Sequence, residues 1–303
     1  MLHVLNGDAT AAVFPNTLPG DRAVWGDILM EGPANADVDT RAAWLAPRLG
    51  VGADDYVQRW REGQRMLAHA KEHDEVVLWF EQDLFCATNL WFVLDRLDAA
   101  RVSLVFPPLS AGGGLGVLAP GAFAPLFERR RVLTAADIAD ARALWRAYAA
   151  PEPLPLTRLQ PTLPFASAAI RLHCARFPSV VDGLDAVEHA TLGALDDALE
   201  FGALFRRVTR SAPLGELGLG DVQFAASVRD LAAGRAPLLA IDHPDQPFAV
   251  WRIRRTSGGA DVLAGRADRV ALVPLDRWLG GVHLRAGAPL WRWDRERRTL
   301  VAV

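Results

Sequence analysis

Two carboxylates, Glu81 and Asp83, stand at the abrupt end of an apolar run, Val76-Val77-Leu78-Trp79-Phe80, and a helical pattern begins directly behind them. In an open α/β sheet the carboxyl ends of the strands are where ligands bind. The arrangement recurs twice upstream. Leu2–Leu5 leads into Asn6-Gly7-Asp8, and Ala23-Val24-Trp25 leads into Gly26-Asp27, with Glu31 just beyond. Carboxylates gathered from several strand ends can bind Mg²⁺ or Mn²⁺ through hard oxygens. They can also work as a general acid–base pair, or hold a ribose or sugar hydroxyl. Asp8, Glu81 and Asp83 are the leading candidates for catalysis and metal binding. Asp27 and Glu31 follow as ligand contacts, with Asn6 as a residue that orients the ligand. If the strand geometry continues past Phe80, Glu81 and Asp83 point the same way, because side chains alternate with period two. The competing explanation is structural. Asp at the start of a helix caps orphan N–H groups, which is worth about 0.5–2 kcal/mol, and both Asp8 and Asp83 precede helical patterns.

A second feature is the loop Ser110-Ala111-Gly112-Gly113-Gly114-Leu115-Gly116. Successive backbone N–H groups in such a loop can cradle phosphate, which makes Gly112, Gly113 and Gly114 candidate ligand contacts. The loop lacks the Lys and Ser/Thr of a P-loop, and its glycines do not fit the dinucleotide spacing, so a plain connecting loop competes with this role. His69 and His73 share a helix face, but no His-Glu-x-x-His pattern surrounds them and a solvated face is expected. No Gly-x-Ser-x-Gly elbow is present. Cys86 and Cys174 match no metal spacing and read as small buried hydrophobes of a reducing compartment.

The elements that must position these groups alternate. Strands are expected at Leu2–Leu5, Arg22–Trp25, Glu75–Phe80 and Val102–Phe106, with helices over Thr40–Gly50, Asp54–His73 and Leu84–Leu97. This alternation predicts an α/β domain over residues 1–125 with a mostly parallel, Rossmann-like sheet. Residues 126–185 read as a helical connector. Thr134 and Asp137 form a capping box at its first helix, Pro151–Pro155 is the best linker, and a helix follows over Phe165–Arg176. Residues 186–303 read as helices over Ala186–Phe201, Gly202–Thr209 and Asp221–Ala233. Strands follow at Leu238–Ile241, Phe248–Arg254 and Val270–Pro274, a pattern that predicts a winged-helix-like domain.

Composition narrows the class. A chain of 303 residues that is 51% hydrophobic is long enough for two domains with real cores. No apolar run is long enough to cross a bilayer. Met1-Leu2-His3-Val4 has no basic leader region, so a cytoplasmic protein without a signal peptide is expected. Residues 1–125 carry 9 basic and 16 acidic side chains, and the remainder 24 and 20. The acidic first domain repels polyanions unless a cation intervenes. In residues 186–303, 16 basic groups face 14 acidic ones, a thin excess for a phosphate-binding surface. Gln223, Ser227 and Arg229 on the third helix are the groups that would read bases, so DNA is the weaker partner and a small polar ligand the stronger. Trp278, Trp291 and Trp293 form an aromatic C-terminal group whose simplest role is packing.

Three segments together, Leu2-His3-Val4-Leu5-Asn6-Gly7-Asp8, Trp25-Gly26-Asp27-Ile28-Leu29-Met30-Glu31-Gly32-Pro33 and Leu78-Trp79-Phe80-Glu81-Gln82-Asp83-Leu84-Phe85, resemble a bacterial family known as domain of unknown function eighteen thirty-five. Arg277-Trp278-Leu279-Gly280-Gly281-Val282-His283-Leu284 resembles the companion domain that often follows it. The resemblance implies the same division of the chain and no particular reaction. The expectation from the residues is therefore metal-assisted nucleotide or phosphoester binding or hydrolysis at an acidic rim. The alternative is a ligand-sensing or protein-interaction module, DNA-associated at most, without catalysis.

Overall fold

A computed structural model describes residues 1–108, 114–273, 275–285 and 287–303. The chain opens with β1 (Leu2–Asn6), α1 (Asp8–Val13), β2 (Asp21–Trp25), α2 (Val38–Leu49), α3 (Ala53–His69), β3 (Val76–Trp79), α4 (Leu84–Arg96) and β4 (Val102–Val105). After α5 (Phe123–Glu128), β5 (Arg131–Val132) closes the sheet, whose order is β2-β1-β3-β4-β5. The first four strands are parallel and β5 runs antiparallel to β4. The mostly parallel α/β sheet expected from the alternating pattern is present.

Strand parity explains why the sheet is covered on both faces. Leu2, Val4, Val76, Leu78 and Leu104 enter the principal core. Leu5, Val77, Trp79 and Val105 point the other way, into a smaller core with Phe14, Leu115, Phe123 and Phe127. A strand buried on both faces reads as an unbroken apolar run, as Val76–Trp79 does. The helix that follows, α4, is buried almost all round. It packs against α6 (Ala135–Tyr148), which starts with the expected Thr134/Asp137 capping box. The Pro-rich stretch holds a short helix, α7 (Leu154–Thr157), whose Leu156 is buried, so it is packed rather than extended. Next is α8 (Ala166–Cys174).

The C-terminal part runs α9 (Ala186–Gly193), β6 (Leu199–Glu200), α10 (Phe201–Thr209), α11 (Asp221–Leu231), β7 (Leu239–Asp242) and β8 (Arg252–Arg255). Its three strands form one antiparallel sheet in the order β6-β8-β7. The helix expected over Ala186–Phe201 stops at Gly193, and β6 intervenes. The strand expected from Phe248 starts only at Arg252, because a 3₁₀ turn over Phe248–Val250 follows Pro247. After α12 (Ser257–Leu263), the segment expected as a strand at Val270–Pro274 is helical, α13 (Arg269–Leu272). Asp268 caps it by accepting from the Val270 N–H, and Pro274 lies outside the described residues. Four apolar residues do not by themselves distinguish a strand from a helical turn. Two hairpins end the chain, β9 (Asp276–Leu279) with β10 (Val282–Arg285), and β11 (Trp291–Asp294) with β12 (Thr299–Ala302). Trp291 and Trp293 pack against the principal core, which runs without a break from Leu2 to Leu300.

Candidate functional site

The sheet order creates a switch point. From β1 the chain crosses to β2 on one side, and later to β3 on the other. Ligands in open α/β sheets bind in the crevice at the carboxyl ends of such diverging strands. Asn6 ends β1 at this crevice, and Glu81 and Asp83 follow β3. Asp83 becomes the N-cap of α4, its Oδ1 accepting from the Cys86 N–H at 2.6 Å. That cap turns the chain so that Cys86 faces back toward the carboxylates. One ligand atom each from Glu81, Asp83 and Cys86 all lie within 4.8 Å of one another. Glu81 Oε1 accepts from the Leu115 N–H at 2.5 Å. Asn6 Nδ2 donates to Cys86 Sγ at 2.9 Å, and Asn6 Oδ1 is buried without a partner among the described residues.

Burial without a cation sets the electrostatics. Among the described residues no arginine, lysine or histidine lies within ion-pair distance of Glu81 or Asp83. Desolvation pushes the Asp83 carboxyl up to about 7, with Glu81 adding to the rise and the Cys86 N–H opposing it. Burial also raises Glu81, against the Leu115 hydrogen bond. Burial raises the Cys86 thiol well above its usual range, and Asp83 and Glu81 push it further. Three acidic groups that each resist ionisation alone make a site that a proton or a metal ion stabilises.

The chain approaches this trio closely from two directions. A Cβ on Gly114 would lie 1.8 Å from Glu81 Oε2, so a larger residue there must displace that carboxylate. Gly218, in the turn between α10 and α11, stands against Asp83 in the same way. The site is therefore built by the first sheet and covered in part by the C-terminal elements.

The remaining predicted residues are placed elsewhere. Asp8 starts α1 and pairs with Arg59 at 2.7 Å, both well exposed. It is not a member of the trio, because Gly7 turns the chain away at the end of β1. Asp27 is buried, its Oδ1 accepting from Tyr56 Oη at 2.8 Å, Arg41 Nη2 at 3.2 Å and its neighbour's N–H, Ile28, at 2.7 Å. Glu31 accepts from Arg176 Nη2 at 2.6 Å. These two carboxylates hold α2, α3 and the turn just after α8 to the loop after β2. Gly112 and Gly113 lie outside the described residues. His69 and His73 pair with Glu72 and Asp21. On α11, Gln223 is buried and caps the Gly220 N–H, while the Ser227 hydroxyl is buried as well. Of the three candidate base readers only Arg229 is exposed.

Cys86 is the member that the sequence reading set aside. Its signal was present: Asp83-x-x-Cys86 at a helix start puts the thiol beside the cap that its own N–H satisfies. No protein-family model matches the chain, and no curated protein matches it.

Proposed function

We propose that the crevice between β1 and β3 binds a divalent cation and, with it, a nucleotide or another phosphoester, which it hydrolyses. The observation that carries this reading is the buried Glu81–Asp83–Cys86 trio with no cationic side chain paired to it among the described residues. Each carboxylate has one oxygen fixed by a backbone N–H, which leaves its other oxygen as the candidate ligand atom. A thiol beside two carboxylates changes the metal preference expected from oxygens alone. Mg²⁺ is a poor match for sulfur, Mn²⁺ tolerates it, and Zn²⁺ takes sulfur and carboxylate together. The bound cation would polarise a phosphoryl oxygen or lower the pKa of a water. Asn6 offers a buried amide oxygen, with no partner among the described residues, beside Cys86 for a ligand or water.

Three further parts of this reading are proposals of the same kind. The first sheet is Rossmann-like in its use of the switch point. The order helix, strand, helix, helix, strand, strand from α9 to β8 supports a winged-helix-like unit, one that covers the N-terminal elements instead of reading DNA. The chain is a cytoplasmic member of the family that its strand-end motifs resemble, consistent with two free, buried cysteines.

The test is thermal stability of chelator-treated protein titrated with Mn²⁺, Zn²⁺ and Mg²⁺. Metal at a hundredfold excess over Kd stabilises the fold by about 2.7 kcal/mol. Glu81→Gln and Asp83→Asn keep shape and lose the stabilisation. Absence of any metal-induced shift removes the reading. Metal binding without hydrolysis of any nucleotide or phosphodiester favours the non-catalytic, ligand-sensing alternative.

A further inference from the structure

A second, independent site lies between α2 and α11. The cleft there has a volume of about 740 Å³, with Trp44, Arg48, Arg229 and Phe248 among its walls. A smaller pocket of about 40 Å³ shares Arg48, Leu49 and Ala226 with it. Arg176, Arg277, Gln223 and Ser227 line this inner end, together with Glu31 and Asp185. Segments far apart in sequence meet here, the kind of junction where small-molecule sites concentrate.

The inner end holds donors that the protein leaves unfilled. Gln223 is only 8% exposed. Its Oε1 accepts from the Gly220 N–H at 2.9 Å, which fixes the amide orientation and leaves Nε2 buried with no partner among the described residues. Ser227, one turn further along the same helix face, has a buried hydroxyl with no partner among the described residues. Leaving such a group unmatched costs about 1–3 kcal/mol, and here two occur in one pocket. Both carboxylates at this end are held by arginines, Glu31 by Arg176 and Asp185 by Arg277. Arg48, the third guanidinium of this lining, pairs with Asp230 on the wall of the outer cleft, so these ion pairs balance. Two unfilled donors one helical turn apart select a ligand group with more than one oxygen acceptor, as a carboxylate has. The outer cleft, walled by the Trp44 indole with the Arg48 guanidinium 5.1 Å from its ring centroid, suits a flat apolar body.

We propose that this cleft binds a small aromatic carboxylate. The ring lies beside Trp44, and a carboxylate oxygen accepts from Gln223 Nε2 and Ser227 Oγ. The site is separate from the Glu81–Asp83–Cys86 trio and does not depend on metal.

The experiment uses the full chain with 2-naphthoate as probe, followed by saturation-transfer NMR and calorimetry. 2-Naphthylmethylamine, which has the same ring and a cationic donor, is the control. The carboxylate binds and the amine does not. Gln223→Glu retains the oxygen that caps Gly220 but replaces the free donor with an acceptor. It weakens 2-naphthoate at least about tenfold, the equivalent of one lost charge-assisted hydrogen bond. Ser227→Ala and Trp44→Ala each weaken it as well, with unfolding of the unliganded variants measured in parallel to confirm a folded state. No binding of 2-naphthoate at millimolar concentration, meaning that the pocket holds water only, overturns the proposal. So does equal binding by the wild type, Gln223→Glu and Ser227→Ala, or preferential binding of the amine.

Discussion

Gly218 lies so close to Asp83 that a Cβ on it would meet the carboxylate carbon and Oδ1 at 2.8 Å, and it holds a φ of +65° that side chains rarely adopt. A residue of the C-terminal half thus stands directly against the carboxylate that caps α4. Gly218→Ala introduces both the strained backbone and the collision. We expect a stability loss of about 1–3 kcal/mol from the backbone conformation alone. The displaced Asp83 also weakens metal binding beyond what the lost stability explains. Chemical denaturation with and without Mn²⁺ measures both. A variant as stable and as metal-responsive as the wild type contradicts the close approach.

Much of the first half was legible because its signals are local. Apolar strands that end in Asn6-Gly7-Asp8 and Glu81-Gln82-Asp83 announce both the sheet and its rim. The Asp83 cap and the Thr134–Asp137 box follow from the side chains that precede each helix. What sequence could not show is convergence. Asp8, Asp27 and Glu31 sit near strand ends as expected, yet arginines 14 to 145 positions away claim Asp27 and Glu31, and Arg59 claims Asp8. Those partners are set by helix packing, which has no local trace. Cys86 entered the site for the converse reason. A thiol inside an apolar run looks like packing until the cap in front of it turns it toward two carboxylates. In the C-terminal half, Val270 and Phe248 lie in short apolar runs whose fate was decided by the Asp268 cap and the Pro247 turn.

On the proposed metal-binding reading, Cys86 is the residue that separates the metals. Its thiol, raised well above the ordinary range by burial, must lose a proton to become a ligand. Affinity for Zn²⁺ therefore rises with pH, and one proton is released per ion bound from this group. Cys86→Ser replaces a soft donor with a weak hard one. It lowers Zn²⁺ affinity by at least about tenfold while leaving Mn²⁺ within a few-fold, in line with ligand softness. Calorimetry in buffers of different ionisation enthalpy counts the protons. Equal losses for both metals would place the thiol outside the coordination sphere.

His173 controls the acid limb of stability. The imidazole is wholly buried against Tyr148 and Phe177, at ring distances of 4.8 and 5.5 Å, and its Nδ1 has no partner among the described residues. Burial, with Arg176 adding to it, lowers its pKa to about 3. The unfolded chain therefore takes up this proton more readily than the native one between about pH 6.5 and 3. Stability tied to the neutral ring is complete above the unfolded value and drains away as pH falls, by up to about 5 kcal/mol. His173→Phe keeps the aromatic contacts and removes the titration. The difference in unfolding free energy between variant and wild type should grow in the variant's favour from pH 7 to pH 4. A constant difference across that range would mean that the ring is accessible to protons in the native state.

Arg277, on β9, joins the first terminal hairpin to α9 through two buried carboxylates. Its guanidinium bonds Asp185 and Glu188, and Arg269 bonds Glu188 from behind. All four groups are buried. Such a network contributes less through attraction than it threatens through isolation, because a buried charge stripped of its partner costs about 3–5 kcal/mol. Arg277→Met fills similar space and strands Asp185, whose carboxyl burial and the neighbouring Glu188 already push up to about 6. Removing the arginine raises it further. A carboxyl whose native pKa lies above its unfolded value loses stability as pH climbs between the two. Arg277→Met is consequently most damaging near pH 8 and recovers as the solution approaches pH 5, where Asp185 is protonated. Adding Asp185→Asn to the variant should restore much of the loss at pH 8, since the amide still accepts from the Glu188 N–H as a helix cap. Urea unfolding of the single and double variants at both pH values completes the cycle. If the double variant is no more stable than Arg277→Met at pH 8, the cost arises from lost packing, and the stranded carboxylate is not its source.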